Sequence, residues 1–215
     1  MIAITLVAAI SSGLLLAMRT SLLTYEKINH RLDENRRAMG MQQALARQIG
    51  GVMPVMGGCG GGLVPLFNGD GQSLRFASSY SLAEGARGYP RIVEYQVAPD
   101  AHGGVRLLMN ERIYFGPASS VPLCGSTFLP VVITPQSVEM AGNLAYCHFV
   151  YQMTVPDSVL GGAWLPSWTQ PNLPRAVRIE MAPLNPNPSR LPVMTLNVPV
   201  HVNREVNVPY YDQQQ

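Results

Sequence analysis

The chain has 215 residues, of which 47% are hydrophobic and only 13% charged, about half the charged share of an ordinary soluble domain. That balance excludes a disordered or strongly electrostatic protein, and the length suits one good-sized domain with an appendage. The net charge of +2 is uneven: six basic side chains face three acidic ones up to residue 50, and nine face ten beyond it. No basic face is therefore available to nucleic acid outside the N-terminal segment, where scattered charges read as a solvated helix surface.

The chain opens MIAITLVAAISSGLLLAM, uncharged until Arg19. As a helix this run spans roughly 27 Å, against a hydrocarbon core of about 30 Å. It fits an export signal, a buried core helix or a retained membrane anchor. The export signal is the poorest fit, because no basic segment precedes the run and no small-x-small cleavage site ends it. The expectation is a transmembrane helix over 1–23, carried by Ile2, Leu6, Ile10, Leu14, Leu15 and Leu22, with Arg19 reaching back to the interface.

Helical character continues without a break. Between Thr20 and Ile49 there is no Pro, and Gly40 is the only Gly. Apolar residues recur at loosely helical spacing among Glu26, Asp33, Glu34, Arg36 and Arg37, and Gly50-Gly51 supplies a stop. This predicts an amphipathic stem over 24–50 that packs Ile28, Leu32, Met39, Leu45 and Ile49 on a domain. The whole helix would be about 70 Å long.

The segment AITLVAAISSGLLLAMRTSLLTYEKINHRLDENRRAMGMQQALARQIGG resembles the N-terminal helix of type IV pilin-like proteins, which include the pseudopilins of type II secretion. The resemblance implies a basic leader, a Gly cut by a prepilin peptidase that methylates the new N-terminus, and a Glu within the apolar run. None of the three is present here, so the expectation is that the true start lies upstream of Met1 and that the peptidase acts there.

Residues 51–72 read as a Gly-rich connector. GGCGGG is followed by no G-K-[ST] and holds no G-x-G-x-x-G register, so a phosphate-binding loop is set aside in favour of a turn. From 73 to 215 the pattern is that of strands: SLRFASSYS, RIVEYQVAP, GVRLLMNERIYFG after the turn signal DAHGG, QSVEMAG, AYCHFVYQMTV, RAVRIEMAPL and VMTLNVPVHV. A long helix followed by about seven antiparallel strands reads as α+β, a pilin-like head with the stem covering one sheet face.

The order of LRF, RIVEYQV, GGVRLLMNERIYF, LAYCHFVYQ and WLPSWTQPNLPRAVRIEM is similar to that of the minor pseudopilins of the general secretion pathway protein J branch. Trp164, Trp168, Leu173, Pro174 and Val177 carry the most specific part of the pattern. The resemblance implies a non-enzymatic component of the pseudopilus tip. It would sit as a single-pass protein of the inner membrane with its head in the periplasm, beside the I- and K-type minor pseudopilins, and support protein secretion. A minor pilin of a type IV pilus, or a membrane-anchored periplasmic ligand-binding module, stays open. On residue chemistry alone, Trp164 and Trp168 also fit ordinary core packing.

No metal, cofactor or catalytic site is expected. His30, His102, His148 and His201 are scattered, and no G-x-S-x-G or H-E-x-x-H occurs. Of three cysteines, Cys124 and Cys147 would close a loop of about two dozen residues if the head meets an oxidising compartment, leaving Cys59 free.

Overall fold

The computed structural model describes residues 2–101, 103–154, 162–186 and 195–202; side chains are described from Ser12 onward, apart from His30 and Glu34. Helix α1 runs Ile2–Gly50. Its hydroxyl residues do not break it, because they bond back into the helix. Thr20 Oγ1 donates to the Leu16 carbonyl at 2.9 Å and Thr24 Oγ1 to that of Thr20 at 2.8 Å. The Gly51 amide closes the last turn on the Arg47 and Gln48 carbonyls at 2.9 and 3.2 Å.

The expected transmembrane half is overturned. Among the described residues no helix is long and apolar enough to cross a membrane. Arg19 interrupts the described apolar stretch, Ser12, Thr20, Ser21 and Thr24 dilute it, and Glu26 and Lys27 end it. The single-pass inner-membrane placement falls with it.

Antiparallel sheet makes up most of the rest. The strands are β1 (Val52–Met53), β2 (Met56–Cys59), β3 (Gly62–Pro65), β4 (Asn68–Gly69), β5 (Ser73–Ser81), β6 (Ala86–Pro99), β7 (Val105–Ile113), β8 (Val138–Gln152), β9 (Trp164–Leu165), β10 (Ala176–Pro183) and β11 (Leu196–Pro199). The main sheet runs β1-β5-β6-β7-β8-β10-β11, with β4 on β5 and β9 on β8, while β2 and β3 form a separate hairpin. The two segments QSVEMAG and AYCHFVYQMTV join into the single strand β8, with register shifts against β7 and Asn143 at φ 53°. The stretch 51–72, expected as a connector, is itself folded into β1 to β4.

Alternation puts two sets of side chains on opposite sheet faces. Leu74 and Phe76 of β5, Val93, Tyr95 and Val97 of β6, and Leu107 and Met109 of β7 face the base of α1 together with Phe149, Tyr151 and Ile179. Helix α1 touches β5, β8 and β11. Because one helix is only about 10–12 Å wide, strands from both ends of the sheet can reach it only if the sheet curls around it.

The opposite face is covered by the β2–β3 hairpin and a 3₁₀ helix, Pro117–Leu123, whose Leu123 is buried together with Leu66, Ala77 and Ile92. Gly57 permits this approach, since a Cβ there would lie 2.6 Å from Ser120 Oγ. Buried in this face, Arg75 Nε donates to Glu94 Oε1 at 2.7 Å and Arg112 donates to Glu94 Oε2 at 3.1 Å. Arg75 also donates to the Leu129 carbonyl at 2.8 Å, which ties the covering segment down.

Candidate assembly surface

The last turns of α1 form a plug in the head. Met41, Ala44, Leu45, Gln48 and Ile49 are buried, Leu45 and Ile49 completely. Polar contacts lock the plug. The Tyr95 hydroxyl donates to Gln48 Oε1, Ser78 Oγ donates to the Gln48 carbonyl at 2.8 Å, and Ser79 Oγ to that of Gly51 at 3.3 Å. Burial, reinforced by the negative charge of Glu111, pushes the Tyr95 phenol above its ordinary value. It therefore stays a donor throughout the physiological range.

Above the plug the same helix leaves a run of apolar side chains exposed among the described residues. Leu14, Leu15, Met18, Leu22, Tyr25, Ile28, Leu32 and Met39 are all exposed, with Leu32 at 47% against 0% for Leu45. The stem stripe expected from the sequence is thus two faces. Leu45 and Ile49 pack on the head, while Ile28, Leu32 and Met39 do not. The step from Met39 to Leu45 is six residues, about one and two-thirds turns, which swings the side chain to a different side of the helix. The side chains of Ile2, Leu6 and Ile10 lie outside the described residues.

The remaining sequence-predicted residues lie in or against the head. Trp168 is buried beside Tyr151 and donates Nε1–H to the Asn172 carbonyl at 2.7 Å. Its backbone pairs with that of Gly69 in both directions, at 2.7 and 3.1 Å. No side chain fits at Gly69, where a Cβ would meet the Tyr151 hydroxyl. Leu173, Pro174 and Val177 are buried as well. Trp164 is half-buried under the Arg178 guanidinium, 3.9 Å from the ring centroid. All five have packing roles, and the Trp164–Arg178 stack is one that strand alternation could not foresee.

The expected Cys124–Cys147 bridge is replaced by Cys59–Cys124, with Cα atoms 5.3 Å apart. Cys147 is buried in mid-β8 among the residues facing α1, and desolvation pushes its thiol up to about 12. Cys124 follows the 3₁₀ helix on the other face of the sheet. The two thiols therefore belong to different sides of one sheet. Sequence distance favoured the nearer pair; the Gly-rich hairpin brings the farther one together. The bridge clamps that hairpin to the 3₁₀ helix.

Among the described residues no group of three or more His, Cys, Asp or Glu gathers as a metal site. His148 is exposed and stacked on Tyr146 at 5.6 Å. A recess of about 470 Å³ opens between the end of α1 and the two sheet ends, with Arg47, Tyr80, Arg87 and His201 in its lining and no carboxylate among the described residues there. Arg47 donates to the Tyr80 hydroxyl at 3.4 Å.

Comparison with known proteins finds no matching family model, no matching curated protein and no matching solved structure.

Proposed function

We propose that this chain is a structural subunit of a pilin-like assembly, a minor pseudopilin of the type II secretion kind. Its projecting helix packs with helices of sister subunits, and its head meets their heads at the tip of a short filament that supports protein secretion. It works by association and carries out no reaction. One observation carries the reading: a single helix is anchored in the head by its last turns and leaves the apolar side chains from Leu14 to Met39 uncovered. Water-exposed Leu, Ile and Met in a contiguous run mark a surface that another apolar surface covers.

Replacing Leu14 or Leu15 with Asp in the full chain tests this. Recovery of the subunit with its partners from cells should be lost, while the thermal unfolding of the head is unchanged. Undiminished recovery would dispose of the reading. A ligand-binding reading has the cationic recess in its favour. Calorimetric titration of the full chain with inorganic phosphate and with citrate separates the two, since the assembly reading expects no heat of binding from either.

A further inference from the structure

The exposed apolar residues of α1 follow a heptad repeat, and their flanks carry a single sign of charge. Met18, Tyr25, Leu32 and Met39 are spaced by seven and occupy the a positions. Leu14 and Ile28 occupy d positions of the same repeat, alternating with Ser21 and Asn35. At about 100° per residue these side chains form one seam, on the side of the helix roughly opposite Leu45 and Gln48. The head and a second helix would therefore grip α1 from opposite sides.

The flanking e and g positions hold two charged residues, Arg36 at e and Arg31 at g; the others are Leu15, Ala17, Leu22, Thr24, Asn29 and Ala38. The acids Glu26, Asp33 and Glu34 all fall at outer positions of the repeat. Asp33 lies 3.8 Å from Arg36, but both are largely exposed, and such a pair contributes little. In a parallel second copy in register, Arg31 of each helix would face Arg36 of the other. In an antiparallel copy, g meets g and e meets e, again with no acid to offer. Self-pairing gains no ion pair from the flanks in either orientation.

We infer that the seam takes a heptad helix of a different chain, one that carries Asp or Glu at the flanking positions opposite Arg31 and Arg36. This rests on the assembly reading above and specifies its partner. Flanking charges select partners more than they add affinity, which is their use in coiled coils. The polar Asn35 within the seam would hold the pairing in one register at some cost in stability.

Two synthetic helices about four heptads long, with Leu at a and d and either Glu or Lys at every e and g, probe the full chain by fluorescence anisotropy. The acidic helix should bind roughly tenfold more tightly than the basic one at low salt, and the margin should shrink at high salt. The double variant Arg31→Glu, Arg36→Glu should reverse the preference, and Leu32→Asp should abolish binding of both. Equal binding of the two helices would overturn the charge selection while leaving the assembly reading in place. Binding of neither, with assembly in cells indifferent to Leu32→Asp, would remove both. Sedimentation supplies a further check: a wild-type chain that self-associates through a Leu32-dependent contact would overturn the assignment to a different partner.

Discussion

Residues 14–39 and 41–50 belong to one helix and draw on the same apolar residue types, yet they behave oppositely. Leu45 is sealed against Phe76, Tyr95 and their neighbours, while Leu32, less than four turns away, is about half exposed. Propensity and hydropathy do not separate the two segments. What separates them is whether the curled sheet reaches them. The lower segment is a structural plug whose loss should unfold the head. The upper one keeps its apolar side chains exposed.

The largest expected effect comes from attacking the plug. Leu45→Asp places a carboxylate at a fully buried position and should cost more than about 4 kcal/mol, enough to unfold the head in a chemical denaturation experiment. If the head survives, the plug is not a structural element. Next is the clasp on the far face of the sheet. Cys59→Ser removes a crosslink between residues 65 apart in sequence, and the loss should be about 4 kcal/mol in the chain-entropy account. Unchanged stability on reduction would show that the hairpin is held by its packing alone.

A smaller effect appears in alkali. The Cys147 thiol titrates near 8.5 when unfolded but is pushed up to about 12 by burial, and the Tyr95 and Tyr151 phenols are raised in the same direction. Below about pH 8 these groups are protonated in both states and stability is unaffected by them. Above it the unfolded state releases protons that the folded state keeps, so stability should fall by up to about 1.4 kcal/mol per pH unit for each group. The decline should begin near pH 9, and Cys147→Ala should delay its onset towards pH 10, as read from denaturant midpoints. The smallest effect on stability belongs to the upper segment. Leu32→Asp should change it by less than about 0.5 kcal/mol, yet it should abolish recovery of partners. A large loss of stability there would erase the distinction between the two segments.

Local pattern made several elements legible. A run without Pro from Ile2 to Ile49, ended by Gly50-Gly51, is helix α1, and the alternation in SLRFASSYS, RIVEYQVAP and RAVRIEMAPL marks β5, much of β6 and β10. The sheet face taken by Val93, Tyr95 and Val97 was readable too, because period two depends only on the strand itself. The candidate surface was legible in part. The apolar residues stand out, but spacing alone merges Leu45 and Ile49 into one stripe with Ile28, Leu32 and Met39, because it does not say where the sheet ends. Hydropathy likewise marks an apolar stretch of marginal length as a membrane span, and the dilution around Arg19 decides against it.

By itself, then, the sequence determined helix α1 and the longer strands β5, β6 and β10, and which residues those strands turn to a common side. These follow from backbone sterics and from the periods of 3.6 and 2. Tertiary structure alone decided that Cys59 and not Cys147 meets Cys124, that Arg75 and Glu94 are buried, with Phe128 and Leu129 against Arg75, and that one helix has a packed end and an open one. Those outcomes depend on contacts between residues far apart in the chain, and no local period encodes which distant surface will arrive to cover a given side chain.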